Sequence, residues 1–186
     1  MRPTDPHAHL EQLADPATQA FAAHAHAETT ARFGQSAAFT ALKQDIVSVL
    51  QDERQIPFCQ EHRGRTYHFH QSAESPKGVY RVCSAASYRA GLPDWQILFQ
   101  VADFDAILGD DVYLDGVSHY VAAPHQVLLS LSPAGADAAY TLEFDLNLGQ
   151  IVADGLHFPL GKNHVAWRDQ DSVWLCPAWD ERQCTD

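Results

Sequence analysis

Apolar residues return at two different periods along this chain. From Asp5 to Asp52 they recur at steps of three and four, and after Pro57 they recur at every second position. The first pattern predicts helices. Asp15 followed by Pro16 is an N-cap and first-turn signal. Leu13, Ala17, Ala20, Phe21 and His24 share one face of the helix this signal starts. Gly34 is placed to stop that helix, and Ser36 to cap a second one. In the second helix Phe39, Leu42, Ile46, Val49 and Leu50 form an apolar stripe. Pro57 ends the helical region.

The second pattern predicts antiparallel strands. RTYHFHQ (65–71) and GVYRVCSA (78–85) alternate, with the turn signal Ser75-Pro76-Lys77-Gly78 between them. WQILFQV (95–101) follows the turn at 91–94. Residues 102–111 read as an insertion with room for a short helix. HQVLLSLSP (125–133) pairs by pattern with DAAYTLEFDL (137–146) across Ala134-Gly135-Ala136. QIVAD (150–154) comes next, then KNHVAWRD (162–169) and SVWLCP (172–177), joined by a tight turn at Gln170-Asp171. Tyr67, Leu128 and Val173 hold equivalent hairpin positions, spaced by 61 and 45 residues. A four-stranded propeller blade repeats at about 40–50 residues, so the longer interval carries the insertion. The pattern therefore predicts a mainly β chain with N-terminal α-helices. Its helical segment covers residues 1–55, and an incomplete β-propeller of about two and a half four-stranded blades covers 56–186, with blades near 56–101, 112–154 and 162–186. On strand count alone a β-sandwich stays open. Two and a half blades leave one apolar face and one strand edge without a neighbour, which predicts self-association there.

Composition narrows the function classes. Lys and Arg number 12 against 24 Asp and Glu, a formal charge of −12. Such a surface repels phosphate backbones and anionic headgroups, so neither nucleic acid nor membrane is expected as a partner. The N-terminus MRPTDPHAHL has no apolar core of signal-peptide type, and a cytoplasmic location is expected. Cysteines at 59, 83, 176 and 184 form no CxxC pair and no zinc-ribbon spacing. Cys59 and Cys83 read as small buried hydrophobes, and Cys184 as an exposed tail thiol.

Several segments together resemble the N-terminal region of the prolyl oligopeptidase family of serine peptidases. DPHAHLE (5–11) looks like the family's opening Asp-Pro-Tyr-x-Trp-Leu-Glu, with His7 and His9 in place of both aromatics. The helices up to Leu50 and IPF (56–58) are similar to its lead-in to the first blade. SYRAGLPDWQILFQVADFDA (87–106) and LSLSPAGADAAYTLEFDLNLGQIVADGLHFP (129–159) resemble the first and second blades of a bacterial branch, and VAWRDQDSVWL (165–175) the start of a third. The resemblance implies a propeller that caps an α/β-hydrolase domain carrying a Ser-Asp-His triad, in an enzyme that hydrolyses short peptides after proline. That hydrolase domain mostly follows the propeller in sequence. It is the partner this chain is expected to lack, whether supplied in cis or in trans.

Candidate chemistry is sparse. No G-x-S-x-G nucleophile turn occurs, and the nearest string, Gly34-Gln35-Ser36-Ala37-Ala38, lacks its second glycine, so Ser36 reads as a helix cap. No catalytic, cofactor-binding or metal residue is assigned, and no cofactor is expected. GxGxxG and GxxxxGK[ST] phosphate loops do not occur. Histidines pair as His7/His9, His24/His26 and His68/His70. His68 and His70 would share one strand face and could reach one metal with His62 or Glu61. The preferred reading is a polar outer face, with Tyr67 and Phe69 turned inward. On a helix His24 and His26 point apart and cannot chelate together. Trp95, Trp167, Trp174 and Trp179 are expected to pack between blades. The chain alone is expected to have no peptidase activity. The alternatives are a free-standing, non-catalytic β-rich binding or assembly module, or the remnant of a decayed peptidase gene. The tail ERQCTD departs from the family's pattern, in line with a chain that stops early.

Overall fold

A computed structural model describes residues 5, 7–52 and 58–177. Trp179, Cys184, the ERQCTD tail and the Pro57 stop lie outside the described residues. The chain divides into two compact units, Met1–Arg54 and Gln55–Asp186.

The first unit is helical. After a 3-10 turn at Ala8–Glu11, α1 spans Pro16–Phe33 and α2 spans Ala37–Leu50. Both helices start where the capping chemistry predicts. The Asp15 carboxylate accepts from Ala17 N at 2.7 Å with Pro16 at the first helical position, and Ser36 Oγ accepts from Phe39 N at 3.1 Å. These bonds satisfy amides that lack an intrahelical partner. Gly34 caps the end of α1, its N–H bonded to Thr30 O at 2.8 Å. Among the described residues of this unit only Thr18 is buried, held by a hydroxyl bond to His9 O at 2.8 Å. The apolar stripe of α2 stays exposed along its length.

The second unit is built of antiparallel sheets. Blade 1 is the meander β1 (Cys59–His62), β2 (Arg65–His70), β3 (Val79–Ser84) and β4 (Gln96–Gln100). A tight turn joins β1 to β2, with Arg63 and Gly64 both at positive φ (50° and 77°), the geometry whose twist suits a two-residue hairpin. A short helix α3 (Ala85–Arg89), capped by Ser84, links β3 to β4. Gly78, at φ 91°, precedes β3, and a Cβ there would lie 2.3 Å from the Phe69 ring. Helix α4 (Asp103–Leu108) fills the predicted insertion and leads to blade 2.

Blade 2 comprises β5 (Val112–Tyr120), β6 (Ala123–Pro133), β7 (Ala139–Asp145), β8 (Gln150–Ile151) and β9 (His157–Gly161). β8 and β9 both pair with β7, at Phe144–Asp145 and at Ala139–Leu142 respectively, so they form one interrupted edge strand. Glu143 holds the interruption. Its buried carboxylate accepts from Leu156 N at 2.9 Å, and its backbone bonds Leu156 O and Val152 N. The final hairpin, β10 (His164–Asp169) with β11 (Ser172–Cys176), has two strands. Two four-position sheets and a hairpin are a partial propeller whose sheets do not close. Tyr67, Leu128 and Val173 each sit on the second strand of their sheet.

The core lies between blades 1 and 2. Tyr80, Val82 and Phe99 of blade 1 meet Val127, Leu129 and Phe144 of blade 2 in one buried cluster. Phe104 of α4 fills its end, with ring centres 5.6 Å from Phe99 and 5.8 Å from Phe144. The edge-to-face geometry of Phe99 on Phe144, at 5.3 Å, suits the ring quadrupoles. The strands β1, β5 and β9 and the helix α3 have no counterpart in the periodicity. β1 (CQEH) is polar, and β5 (VYLDGVSHY) is broken by a bulge at Asp115, where the register shifts between Leu114 and Gly116. Residues 150–154 were expected as a strand, and only Gln150 and Ile151 pair.

Candidate functional site

The chemistry-bearing side chains of the β unit fall into three places: the seam between blades 1 and 2, the turn end of that seam, and the far face of blade 1. At the seam, β5 places His119 against β1, β2 and β3. His119 Nδ1 is 2.6 Å from Pro124 O, so it carries the proton and donates. Nε2 is then the acceptor, and the buried Tyr80 hydroxyl donates to it at 2.8 Å. The His62 ring stacks on His119 at 4.4 Å, and Tyr67 tilts against it at 4.5 Å. Burial pushes His119 down to about 4, against a smaller upward pull from Pro124 O. The same desolvation raises Tyr80. The arrangement is a neutral hydrogen-bonded lock between blades. Neither ring nitrogen of His119 is free to act as a base.

At the turn end, the Ser75–Gly78 turn projects Lys77 onto the segment after β4. Lys77 Nζ lies 2.5 Å from both Asp105 Oδ2 and Asp111 Oδ1, beside the Tyr113 ring. Asp105 also accepts from Val112 N at 3.0 Å. The Lys77 bond and this amide hold the Asp105 carboxyl below its usual range. Two carboxylates thus neutralise one ammonium and tie α4 and β5 to blade 1.

Two shallow clefts flank β5. One, of about 190 Å³, is lined by Phe58, Tyr67, Phe69, Tyr80 and Leu114. The other, of about 270 Å³, lies between Gly116–Ser118 and Asn163–Val165. His62 of β1 meets His119 of β5, and Trp167 of β10 donates its indole N–H to Ser118 O at 2.9 Å. The first strands of the three sheets are therefore neighbours, as at the inner wall of a propeller. Ser130 Oγ donates to Asp115 Oδ2 at 3.0 Å on this wall, without a histidine in the pair.

The far face of blade 1 corrects the sequence reading of the histidines. Tyr67 does turn into the core, and Phe69 packs against it. But His68 is buried, not part of a solvated polar face. Its Nδ1 accepts from Arg81 Nε at 3.1 Å, and Trp95 lies 5.5 Å from its ring. Burial, then the charges of Arg81 and His70, push it down to about 4. His62 lies on the opposite face of the sheet, against His119, and Glu61 is engaged by Arg89 at 2.5 Å. Among the described residues no group of three or more His, Cys, Asp and Glu is placed to hold a metal ion. The tryptophans also depart from expectation. Trp167 packs on Tyr120 of blade 2, but Trp95 lies on the far face of blade 1 and Trp174 is 66% exposed. Cys83 is buried and Cys59 half-buried, both as free thiols. Ser36 is the helix cap described above.

No family model matches the chain. Across 98% of its length it is 26% identical to an uncharacterized peptidase of Sinorhizobium fredii, and across 75% it is 26% identical to an uncharacterized peptidase of Rickettsia prowazekii. It spans only 25% and 20% of the lengths of those relatives. Its fold superimposes on the structure of a post-proline cleaving enzyme from Rickettsia typhi with a TM-score of 0.68 and 23% identity. That overlap covers 79% of this chain and 22% of the enzyme.

Proposed function

We propose, for a chain related to the N-terminal region of prolyl oligopeptidase-family peptidases, that it is the non-catalytic front part of such an enzyme. Its work would be to support and gate a separate α/β-hydrolase domain, present in cis or in trans. The observation that carries this reading is the pairing of extent and content. Nearly the whole chain aligns with about a quarter of a peptidase, and the part that aligns contains blades and no nucleophile turn. Acyl transfer needs a nucleophile, a base and oxyanion donors in one constellation. Here the best-placed histidine, His119, spends both nitrogens on holding two blades together. A propeller over a catalytic mouth would exclude folded proteins and admit short peptides. Purified 1–186 is expected to leave a proline-containing reporter peptide intact. Cleavage that a serine-directed inhibitor abolishes would overturn the reading.

A further inference from the structure

We propose that the far face of blade 1 carries a carboxylate-binding site, built from Arg81, His68 and Trp95. Its occupant is an Asp or Glu side chain of the protein segment that packs on this face. The proposal rests on the propeller reading, which requires a further blade against blade 1.

The register sorts the sheet into two faces. Tyr67 pairs with Val82 and Phe69 with Tyr80 on the core side, so His68, opposite Arg81, faces away with Cys59 and Cys83. Arg81 is half-buried there. Its guanidinium carbon sits 4.6 Å from the centre of the Trp95 ring, and its Nε donates to His68 Nδ1. Tyr88 packs edge-to-face against Trp95, with ring centres 6.1 Å apart. These contacts use one face of the guanidinium and one of its five N–H groups. The remaining N–H groups belong to Nη1 and Nη2, the pair that grips a carboxylate with two parallel bonds.

What is missing is the anion. Among the described residues Arg81 forms no ion pair. On the same face, Glu61 is held by Arg89. Acids outnumber bases two to one in this chain, so scarcity does not explain the gap. A half-buried cation without a counter-ion is costly, and a neutral imidazole satisfies only one of its donors. His68 fits that role because its depressed pKa keeps Nδ1 an acceptor at neutral pH. Ring and imidazole together fix the fork before any ligand arrives, which lowers the entropy cost of binding.

The test uses the chain itself, labelled with ¹⁵N-arginine. The Arg81 Nε–H resonance, identified by its loss in Arg81→Lys, is followed during titration with N-acetylglutamate α-amide at constant ionic strength. A saturable shift at Arg81, with no comparable shift from N-acetylglutamine α-amide or chloride, is expected. A shift no larger than that from chloride would overturn the site. A stronger response to N-acetylalanine, whose carboxylate is terminal, would overturn the side-chain assignment. Matching thermal melts of the parent and Arg81→Lys separate lost binding from lost fold. Because no peptidase activity is read, failure here leaves the proposed function untouched, and failure of that function leaves this result standing.

Discussion

The two helices and the two complete blades treat their apolar side chains in opposite ways. α1 and α2 bury only Thr18, while Phe39, Leu42, Ile46 and Leu50 stay between 46% and 72% exposed. In the blades Val82, Val101, Val112, Val127, Leu129 and Leu131 are at or below 1% exposure. The helices therefore draw what order they have from caps and intrinsic propensity, and a few kilocalories of capping and hydrogen bonding is a thin margin for short helices. The blades hold each other through buried area and interlocked rings. The difference teaches that an amphipathic pattern specifies an element without supplying the surface that covers it.

This contrast can be broken by substitution. The largest effect is expected from Phe144→Ala, which empties a position packed by Phe99 and Phe104. It should cost about 3–5 kcal/mol in a urea melt monitored on the β unit. A loss below 1 kcal/mol would mean the seam is loosely packed.

Next comes pH. His119 titrates at about 4 in the folded chain, against about 6.5 when unfolded. The unfolded state therefore takes up the proton first as pH falls. The stability from keeping this ring neutral is complete above pH 6.5 and is lost on descent towards pH 4, to a limit of about 3 kcal/mol. His68 acts in the same direction. The His119→Gln variant should show a shallower fall in melting temperature over this window. An unchanged slope would assign the acid sensitivity elsewhere.

A smaller effect is expected at Gly78. An alanine there combines positive φ with a Cβ inside the Phe69 ring contact, and should cost about 1–3 kcal/mol. Unchanged stability in a denaturant melt would show that the turn can move away. Smallest of all is Leu42→Ala in α2, at 59% exposure. It should change the stability of the isolated chain by less than about 0.5 kcal/mol. A loss as large as that of Phe144→Ala would erase the contrast between the two regions.

Much of the fold was legible where local chemistry is strong. Asp15-Pro16 and Ser36 marked both helix starts, and alternation located β2, β3, β6, β7, β10 and β11. The spacing of Tyr67, Leu128 and Val173 tracked the second strand of each sheet. The inner strands were hidden for a physical reason. β1 has polar residues along a cleft, and the β5 bulge at Asp115 breaks the period of two. β9 was missed because its partner strand is shared with β8 across the Glu143 loop. The histidines were harder still. Alternation put His68 on the face away from the core, correctly, but could not show that Arg81 and Trp95 bury it there. His119 carried no spacing signal, because its partners Tyr80 and His62 come from another sheet, 39 and 57 residues away.

The proposed function makes these residues the supporting front of a larger peptidase. The most direct measurement is the mass of the native product in cell extract, detected with an antibody raised against residues 1–50. The expected result is an antigen several times heavier than 20.6 kDa, or a 20.6 kDa chain that co-purifies with a hydrolase subunit. A 20.6 kDa species that migrates alone would contradict it, and would leave a non-catalytic binding module or a decayed remnant in its place.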